Sequence, residues 1–421
     1  MRPLEQQFDS LLERRRAGSL LRQLTIPSSR AIDFSSNSYL SLSINPVITQ
    51  SYLDLLTTHQ DKALIGSGGS RLLDGNSAFT EQLEHEIARH HRAEAGLIFN
   101  SGFDANCGIF SCVAQKGDVV VYDELIHASV HDGMKMSRAA HRIPFSHNLV
   151  EAASKKDPHS RALKDVIEGL GEDALKGQCN VFIAVEGIYS MDGDVCPLVD
   201  VVNCVERCLP RGNGYIIVDE AHSTGIVGLD GRGLVGHLGL EDKIFLRLHT
   251  FGKAMSCSGA AVLCSTITRS YLINYSRSFI YTTAPSLAFL LAIKAGYDFL
   301  VSGKAQALIN HVQELMAFTH GQLTMLNNRL HPPSDIISIS RSSPESPIIP
   351  VITPAPRRLA KFCQDQGYMV RPIVAPTVPS GKERIRICLH AGNSFEEVTG
   401  LVGVIEAWVK SEMKANTLAK L

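Results

Sequence analysis

The chain has no run of about 18 consecutive apolar residues, the length that a membrane-spanning helix requires. The nearest approach, Ser286 to Ile293, is cut short by Lys294 and reads as a buried helix segment. An excess of one charge is also missing: 41 basic and 42 acidic residues leave a formal net charge of -1. That balance gives no global field for nucleic acid or an anionic membrane surface, so any anion must be held locally. Among the ten cysteines, no pair has the two-residue gap of a zinc knuckle or redox couple; Cys107/Cys112 and Cys204/Cys208 come closest. They read as reduced, mostly buried intracellular thiols, and no metal site is expected. Gly66-Ser67-Gly68-Gly69-Ser70-Arg71 lacks the third glycine of a dinucleotide fingerprint and the Gly-Lys-Ser/Thr of a P-loop. It reads as a flexible loop that lets the backbone approach a ligand closely.

The amino terminus shows no signal-peptide apolar block, and Glu5, Asp9 and Glu13 argue against a mitochondrial transit peptide. At the other end, Ala419-Lys420-Leu421 differs from the peroxisomal Ser-Lys-Leu address by one small-for-small exchange. Import into the peroxisome through its receptor is the expectation, with the cytosol as the alternative.

What is present is an ordinary globular composition, 44% hydrophobic and 20% charged over 421 residues, enough for two or more lobes. Leu4, Phe8, Leu11, Leu12 and Leu20 recur among arginines, predicting an amphipathic helix from Leu4 to Leu24 packed on its apolar side. Pro46 opens a second helix and Thr80 to His91 forms a third. Short apolar runs ending at Phe99, Tyr122, Val185 and Val218 then alternate with helical stretches, as buried strands of a largely parallel sheet would. Polar residues follow each run, at the carboxyl edge where open α/β sheets collect ligands. Asp157 to Gly177 reads as a charged surface helix and loop, and Pro285 as the start of an apolar helix bridging to a second lobe. Ser334 to Pro356 reads as a linker plus an edge strand. An amphipathic helix from Arg357 to Gln366, a Pro-Thr-Val-Pro turn at 376–379, a strand from Arg384 to Leu389 and a closing helix follow.

Lys253, in Leu248 to Gly259, is the centre of the functional reading. Flanked by Gly252, Ala254, Ser256 and Ser258, its amine has room to form an imine with a carbonyl; the alternative is a solvated loop lysine. Asp219-Glu220-Ala221-His222 places a carboxylate directly after a buried strand and an imidazole three residues on, although an isolated D-x-x-H is also a common turn. Aspartate, histidine and lysine together suit three positions of one ring, that of pyridoxal phosphate: the pyridinium nitrogen, the ring hydroxyl and the aldehyde. Ser101-Gly102-Phe103 opening a helix, Thr250 and Ser256 are candidate phosphate donors.

Eight blocks in this order resemble the α-oxoamine synthases, fold-type I pyridoxal-phosphate enzymes: S-S-N-S-Y-L-S-L at 35–42, G-S-G-G-S-R at 66–71, S-G-F at 101–103, L-I-H-A-S at 125–129, E-G-I-Y-S-M-D-G-D at 186–194, V-D-E-A-H-S-T-G at 218–225, T-F-G-K at 250–253 and P-T-V-P at 376–379. The resemblance runs almost end to end. It implies an α/β fold whose mostly parallel central sheet carries helices on both faces, with a smaller α+β carboxyl-terminal domain. The expected divisions are an arm over 1–39, a large cofactor domain over 40–299 and a small domain over 300–421. Lys253 is implied to bind the cofactor aldehyde, Asp219 to pair with the ring nitrogen, and His222 and Ser190 to address the phenolic oxygen. His127 is implied to stack over the ring, where a lone histidine would otherwise read as a helix-start or core residue. Glu186, Gly102, Phe103 and Thr250 are placed around the cofactor. Thr282 and Thr283 are implied to reach a phosphate across a homodimer interface, their alternative being caps before Pro285. For substrates, Arg386 matches the arginine holding the amino-acid carboxylate, Asn37 lies near the amino acid, and Arg22 and Thr377 match acyl-side positions.

The implied reaction condenses an amino acid with an acyl thioester, and the motifs favour the branch that joins L-alanine to pimeloyl-CoA. Sibling synthases using glycine or serine with other acyl-CoAs are the rivals, and a non-catalytic partner subunit is the rival of another class. Ala254 to Cys257, and Ser41 where glycine is common in the family, depart from the family pattern.

Overall fold

The computed structural model of the chain describes residues 2–18, 20–26, 28, 30–151 and 159–418; Ala419-Lys420-Leu421 lies outside the described residues. Thirteen strands are described. In chain order they are β1 (Ile32–Asp33), β2 (Ala95–Phe99), β3 (Val119–Asp123), β4 (His141–Phe145), β5 (Val181–Glu186), β6 (Gly214–Asp219), β7 (Leu246–Thr250), β8 (Ala260–Cys264), β9 (Ser338–Ile339), β10 (Ile348–Ile352), β11 (Tyr368–Met369), β12 (Arg371–Ile373) and β13 (Arg384–Cys388).

Seven strands make the large sheet in the order β2-β8-β7-β6-β5-β3-β4. Six run one way, and β8 alone opposes its neighbours. Alternation along each strand sorts the side chains to two faces. Val119, Val121, Ile183 and Val185 pack with Val201, Val202 and Val205 of the helix Leu198–Cys208. Their neighbours Val120, Phe182 and Ala184 pack on the opposite face with Ile109 and Phe110 of the helix Gly102–Cys112. Each such fully buried side chain contributes about 1.5–3 kcal/mol, which fixes the register that brings five strand ends to one edge.

The smaller sheet runs β12-β13-β10-β9, all antiparallel. The arm is not a separate unit: β1 pairs in parallel with β11, and Phe34 lies in the small-lobe core. The bridge between lobes is the helix Gln306–Leu330, whose Ile309 packs in the large-lobe core while Leu315, Leu323 and Leu326 pack in the small one. The helix expected to bridge from Pro285 is Leu287–Val301, and it lies wholly against the large lobe.

Other expectations also change. The first helix stops at Ala17, and its Leu4, Phe8, Leu11 and Leu12 are exposed rather than packed. Between Ser334 and Pro356 the chain supplies an interior strand, β10; Pro350 is tolerated because β9 reaches only Val351 and Ile352. The charged stretch after Ser160 is not merely surface, since Leu163, Val166 and Ile167 of its helix are buried.

Candidate active site

The carboxyl ends of β2, β3, β5, β6 and β7 deliver Ser101-Gly102, His127, Ser190, Asp219 through His222, and Lys253 to one edge of the sheet. A cleft of about 860 Å³ opens there, lined by His127, Ser190, His222 and Lys253 from the large lobe, Asn37 from the arm, and Thr377 and Arg386 from the small lobe. The Pro-Thr-Val-Pro turn that carries Thr377 begins with a cis Ala375–Pro376 bond.

Lys253 sits in a loop pinned by the Ser256 N–H donating to the Lys253 carbonyl and the Cys257 N–H donating to that of Phe251. Burial holds the amine down to about 8, against the opposing pull of Asp219 and Glu186. Gly225 makes room beside it: at φ +84, a Cβ there would come within 2.9 Å of the Ala254 Cβ.

Asp219 accepts two N–H donors, from Asn106 Nδ2 at 2.7 Å and the Ala221 backbone at 2.9 Å. Glu186 is its register neighbour on β5; burial, reinforced by the Asp219 charge, pushes the Glu186 carboxyl well above the usual range, with Lys253 pulling it down. Glu220, the next residue in the motif, turns away and accepts the Leu234 and Val235 N–H groups, each at 2.8 Å. Its role is to pin the turn that presents His222. The D-x-x-H segment is thus both a turn, closed by the Ser223 N–H on the Glu220 carbonyl, and a wall of the cleft.

His222 is held by the Tyr39 hydroxyl, 2.7 Å from its Nδ1. Burial, with Lys253 and Arg386 nearby, depresses its pKa well below the ordinary value, so the imidazole is neutral. His127 caps the helix Ala128–Met136, its Nδ1 accepting the Ser129 N–H at 3.2 Å. His127 is thus both a helix-start residue and part of the cleft lining, because capping uses Nδ1 and leaves Nε2. Burial also lowers the His127 pKa, with Asp219 pulling upward and Lys253 pressing down.

Gly102 and Phe103 open the helix Gly102–Cys112, capped by Ser101, whose side chain accepts the Asp104 N–H. A Cβ on Gly102 would stand 3.2 Å from Thr250 Oγ1 and fill the space between them. That cradle, with free helix N–H groups and a hydroxyl, fits a phosphate. Thr282 accepts from Asn100 Nδ2 at 3.0 Å, and the Thr283 carbonyl accepts from it at 2.9 Å. Neither caps the next helix, which Ser286 does. Ser256 is not at the cradle; its Oγ lies 3.0 Å from that of Ser38.

Arg386 is buried, not a surface-strand arginine. Its Nη atoms donate to the Ser190 carbonyl at 2.9 Å and to Asn37 Oδ1 at 3.1 Å, while Nε has no partner among the described residues. Arg22 is exposed and outside the cleft lining. It lies beyond the end of the first helix, in a segment without regular secondary structure that Arg371 touches through Thr25. At the end of the glycine-rich loop, Arg71 is buried against Glu84 at 2.6 Å. Tyr39, Asn106 and Ser129 were not singled out by sequence. Tyr39 and Ser129 lie inside quoted motifs, and Asn106 is a lone amide in an apolar helix, which is itself a signal.

A family model for aminotransferase class I and II matches residues 29–405. The chain is 50% identical over 405 residues to an 8-amino-7-oxononanoate synthase of Emericella nidulans, covering 96% of each chain. It is 37% identical to an aminoacyl transferase sphA of Aspergillus fumigatus, covering 96% of this chain and 86% of that one. Its fold matches a Sphingomonas wittichii serine palmitoyltransferase with a TM-score of 0.81 at 23% identity, covering 96% and 98%. The chain therefore belongs to the aminotransferase class I and II family, in the α-oxoamine synthase branch of the fold-type I pyridoxal-phosphate enzymes.

Proposed function

We propose that the protein condenses L-alanine with pimeloyl-CoA, with loss of CoA and carbon dioxide, to give 8-amino-7-oxononanoate. The observation that carries the reading is the meeting of Lys253, His127 and His222 with Arg386 and Asn37 in one cleft; the 50% identity to a relative of that name supports it.

Pyridoxal phosphate would be held by Lys253 at its aldehyde, Asp219 at its ring nitrogen, His222 and Ser190 at its phenolic oxygen, and Gly102, Phe103 and Thr250 at its phosphate. When bound, it supplies an electron sink for the pair released at the amino acid α-carbon. Arg386 would take the alanine carboxylate on its planar fork, beside Asn37. Lys253, with an amine held near 8, can accept the α-proton and later return one. Asp219, fixed by two N–H donors, is the carboxyl group that would pair with the ring nitrogen. The new carbon–carbon bond forms at the thioester carbonyl, the carbon–sulfur bond breaks, and the CoA thiolate leaves. His127, with Nδ1 already accepting, presents an Nε2–H that can hydrogen-bond the thioester oxygen. Thr377, which lines the cleft, would face the acyl chain. The carboxylate then departs as carbon dioxide and the carbon is reprotonated.

Two copies are proposed to pair, Thr282 and Thr283 of each reaching the phosphate of the other; Thr283 is exposed, and neither threonine is used as a helix cap. The 37% identity to an aminoacyl transferase supports a second reading, another amino acid or acyl chain in the same cleft. CoA release measured across alanine, glycine and serine, each with acyl-CoAs of graded length, tests the choice. Preference for alanine with pimeloyl-CoA is expected; activity confined to glycine with acetyl-CoA would overturn it.

A further inference from the structure

We infer that Asn106 and Ser129 are positioning residues that join Asp219 to His127 through one chain of hydrogen bonds, so that a single buried amide sets both sides of the cofactor pocket. The inference rests on the reading that Asp219 and His127 flank pyridoxal phosphate. Asn106 Nδ2 lies 2.7 Å from Asp219 Oδ2 and 3.0 Å from Ser129 Oγ. Ser129 Oγ lies 2.8 Å from His127 Nδ1, and the Ser129 N–H donates to the same nitrogen at 3.2 Å.

The donor count leaves one arrangement. A carboxylate accepts only, so the amide must turn its nitrogen towards Asp219 and use its two hydrogens on Asp219 and Ser129. Ser129 Oγ, having accepted, points its own proton at His127 Nδ1. That ring nitrogen then faces two donors and carries no proton, and the neutral imidazole holds its proton on Nε2, the nitrogen left for the cleft.

Both residues are almost wholly enclosed, Asn106 at 2% exposure and Ser129 at 0%. Asn106 Oδ1 has no partner among the described residues. A buried unpaired oxygen opposes folding, and an apolar residue of similar size would avoid it. The bonded end of the amide is its nitrogen, which serves both Asp219 and Ser129. Other charged or titratable groups around His127 are Lys253 on the β7 loop, His222 after β6, His131 on its own helix and Glu186 on β5; none of them occupies Nδ1.

The test is ring-nitrogen NMR of the full chain with labelled histidine, with and without pyridoxal phosphate, for the wild type, Ser129→Ala and Asn106→Leu, alongside kcat and KM. Thermal melting establishes which variants fold, and Ser129→Ala, which removes one enclosed oxygen, is the milder change. In the wild type, His127 Nδ1 is expected to be the unprotonated nitrogen. In either variant the His127 titration should move to higher pH, and kcat should fall about tenfold or more with little change in KM and with cofactor still bound. A folded Ser129→Ala protein whose His127 nitrogens and titration match the wild type would overturn the inference. A wild type that takes up no cofactor, yet shows the same response of His127 to Ser129→Ala, would preserve the linkage and sink the functional reading instead.

Discussion

Lys253 combines a partly enclosed amine with two carboxylates on the strands beside it, and the balance leaves it with a pKa of about 8 rather than 10.5. Lys253→Ala should therefore give a folded but colourless protein with no condensing activity, whereas the wild type with added pyridoxal phosphate should be yellow and keep the cofactor after borohydride reduction. A variant that still traps cofactor covalently would place the linkage elsewhere. Two serines depart from glycine-like positions in an instructive way. Ser41 and Ser256 adopt left-handed backbone, at φ 52 and φ 50. Each recovers a hydrogen bond at 3.0 Å, Ser41 Oγ from the Gly392 N–H and Ser256 Oγ with Ser38. Strain of about 1–2 kcal/mol stands against a bond of about 0.5–1.5 kcal/mol. Ser41→Gly should thus stay within about 1 kcal/mol of wild type, while Ser41→Ala, which keeps the strain and loses the bond, should destabilise by about 1 kcal/mol. Urea midpoints distinguish the two, and the reverse order would contradict this account.

At the scale of elements, β2 is anchored by a buried cluster. Glu84 accepts Arg71 at 2.6 Å, Arg269 at 2.7 Å and the Ile98 N–H at 2.7 Å. Removing the carboxylate takes the buried partner from Arg71, leaves the Ile98 N–H unpaired and leaves the half-exposed Glu81 as the remaining anion for Arg71 and Arg269, at 3.2 and 2.8 Å. Glu84→Ala should therefore cost about 3 kcal/mol in chemical denaturation; a change below about 1 kcal/mol would show that the cluster is solvated. The same region explains what the sequence made legible. Runs such as Val181 to Val185 announce themselves because they are apolar on both faces. β7 does not, since Leu-Arg-Leu-His-Thr hides a buried Arg247 that donates to the His91 carbonyl at 3.0 Å. β4 carries Pro144 and escapes notice as an edge strand. At the site, residues that follow strand ends were readable from motif and position. Asn106 and Tyr39 were not, because their roles depend on which strand end folding brings beside them. The helix itself ends at Ala17 rather than Leu24, so Arg22 follows it in irregular chain whose course the apolar spacing does not encode.

For the whole molecule, buried histidines shape the response to pH. His90, His91 and His249 pack together, with ring centroids 4.7 Å apart for His90–His91 and 4.0 Å for His91–His249. Burial lowers all three, His90 from 6.5 to about 4. Their neutral forms are native, so their stabilisation is complete above about 6.5 and is lost as pH falls towards 4, because the unfolded chain binds the extra protons. His147 works in the opposite sense. Although burial opposes its charge, Asp123 and Asp194, at 2.9 and 2.6 Å, raise it to about 10. Its contribution is complete below about 6.5 and is lost as pH rises towards 10. Melting temperature should therefore be highest near neutrality, and His147→Gln should flatten the alkaline side while leaving the acid side in place. An unchanged alkaline decline in that variant would remove His147 as its cause. The histidine core and the His147 clamp both belong to the large lobe, which carries most of a cleft whose proposed task is one condensation. Mass analysis of the product formed from L-alanine and pimeloyl-CoA by the cofactor-loaded protein tests that claim most directly. A mass equal to the two substrates less CoA and carbon dioxide is expected; CoA release without that product, or condensation only with another amino acid, would rule the proposed reaction out.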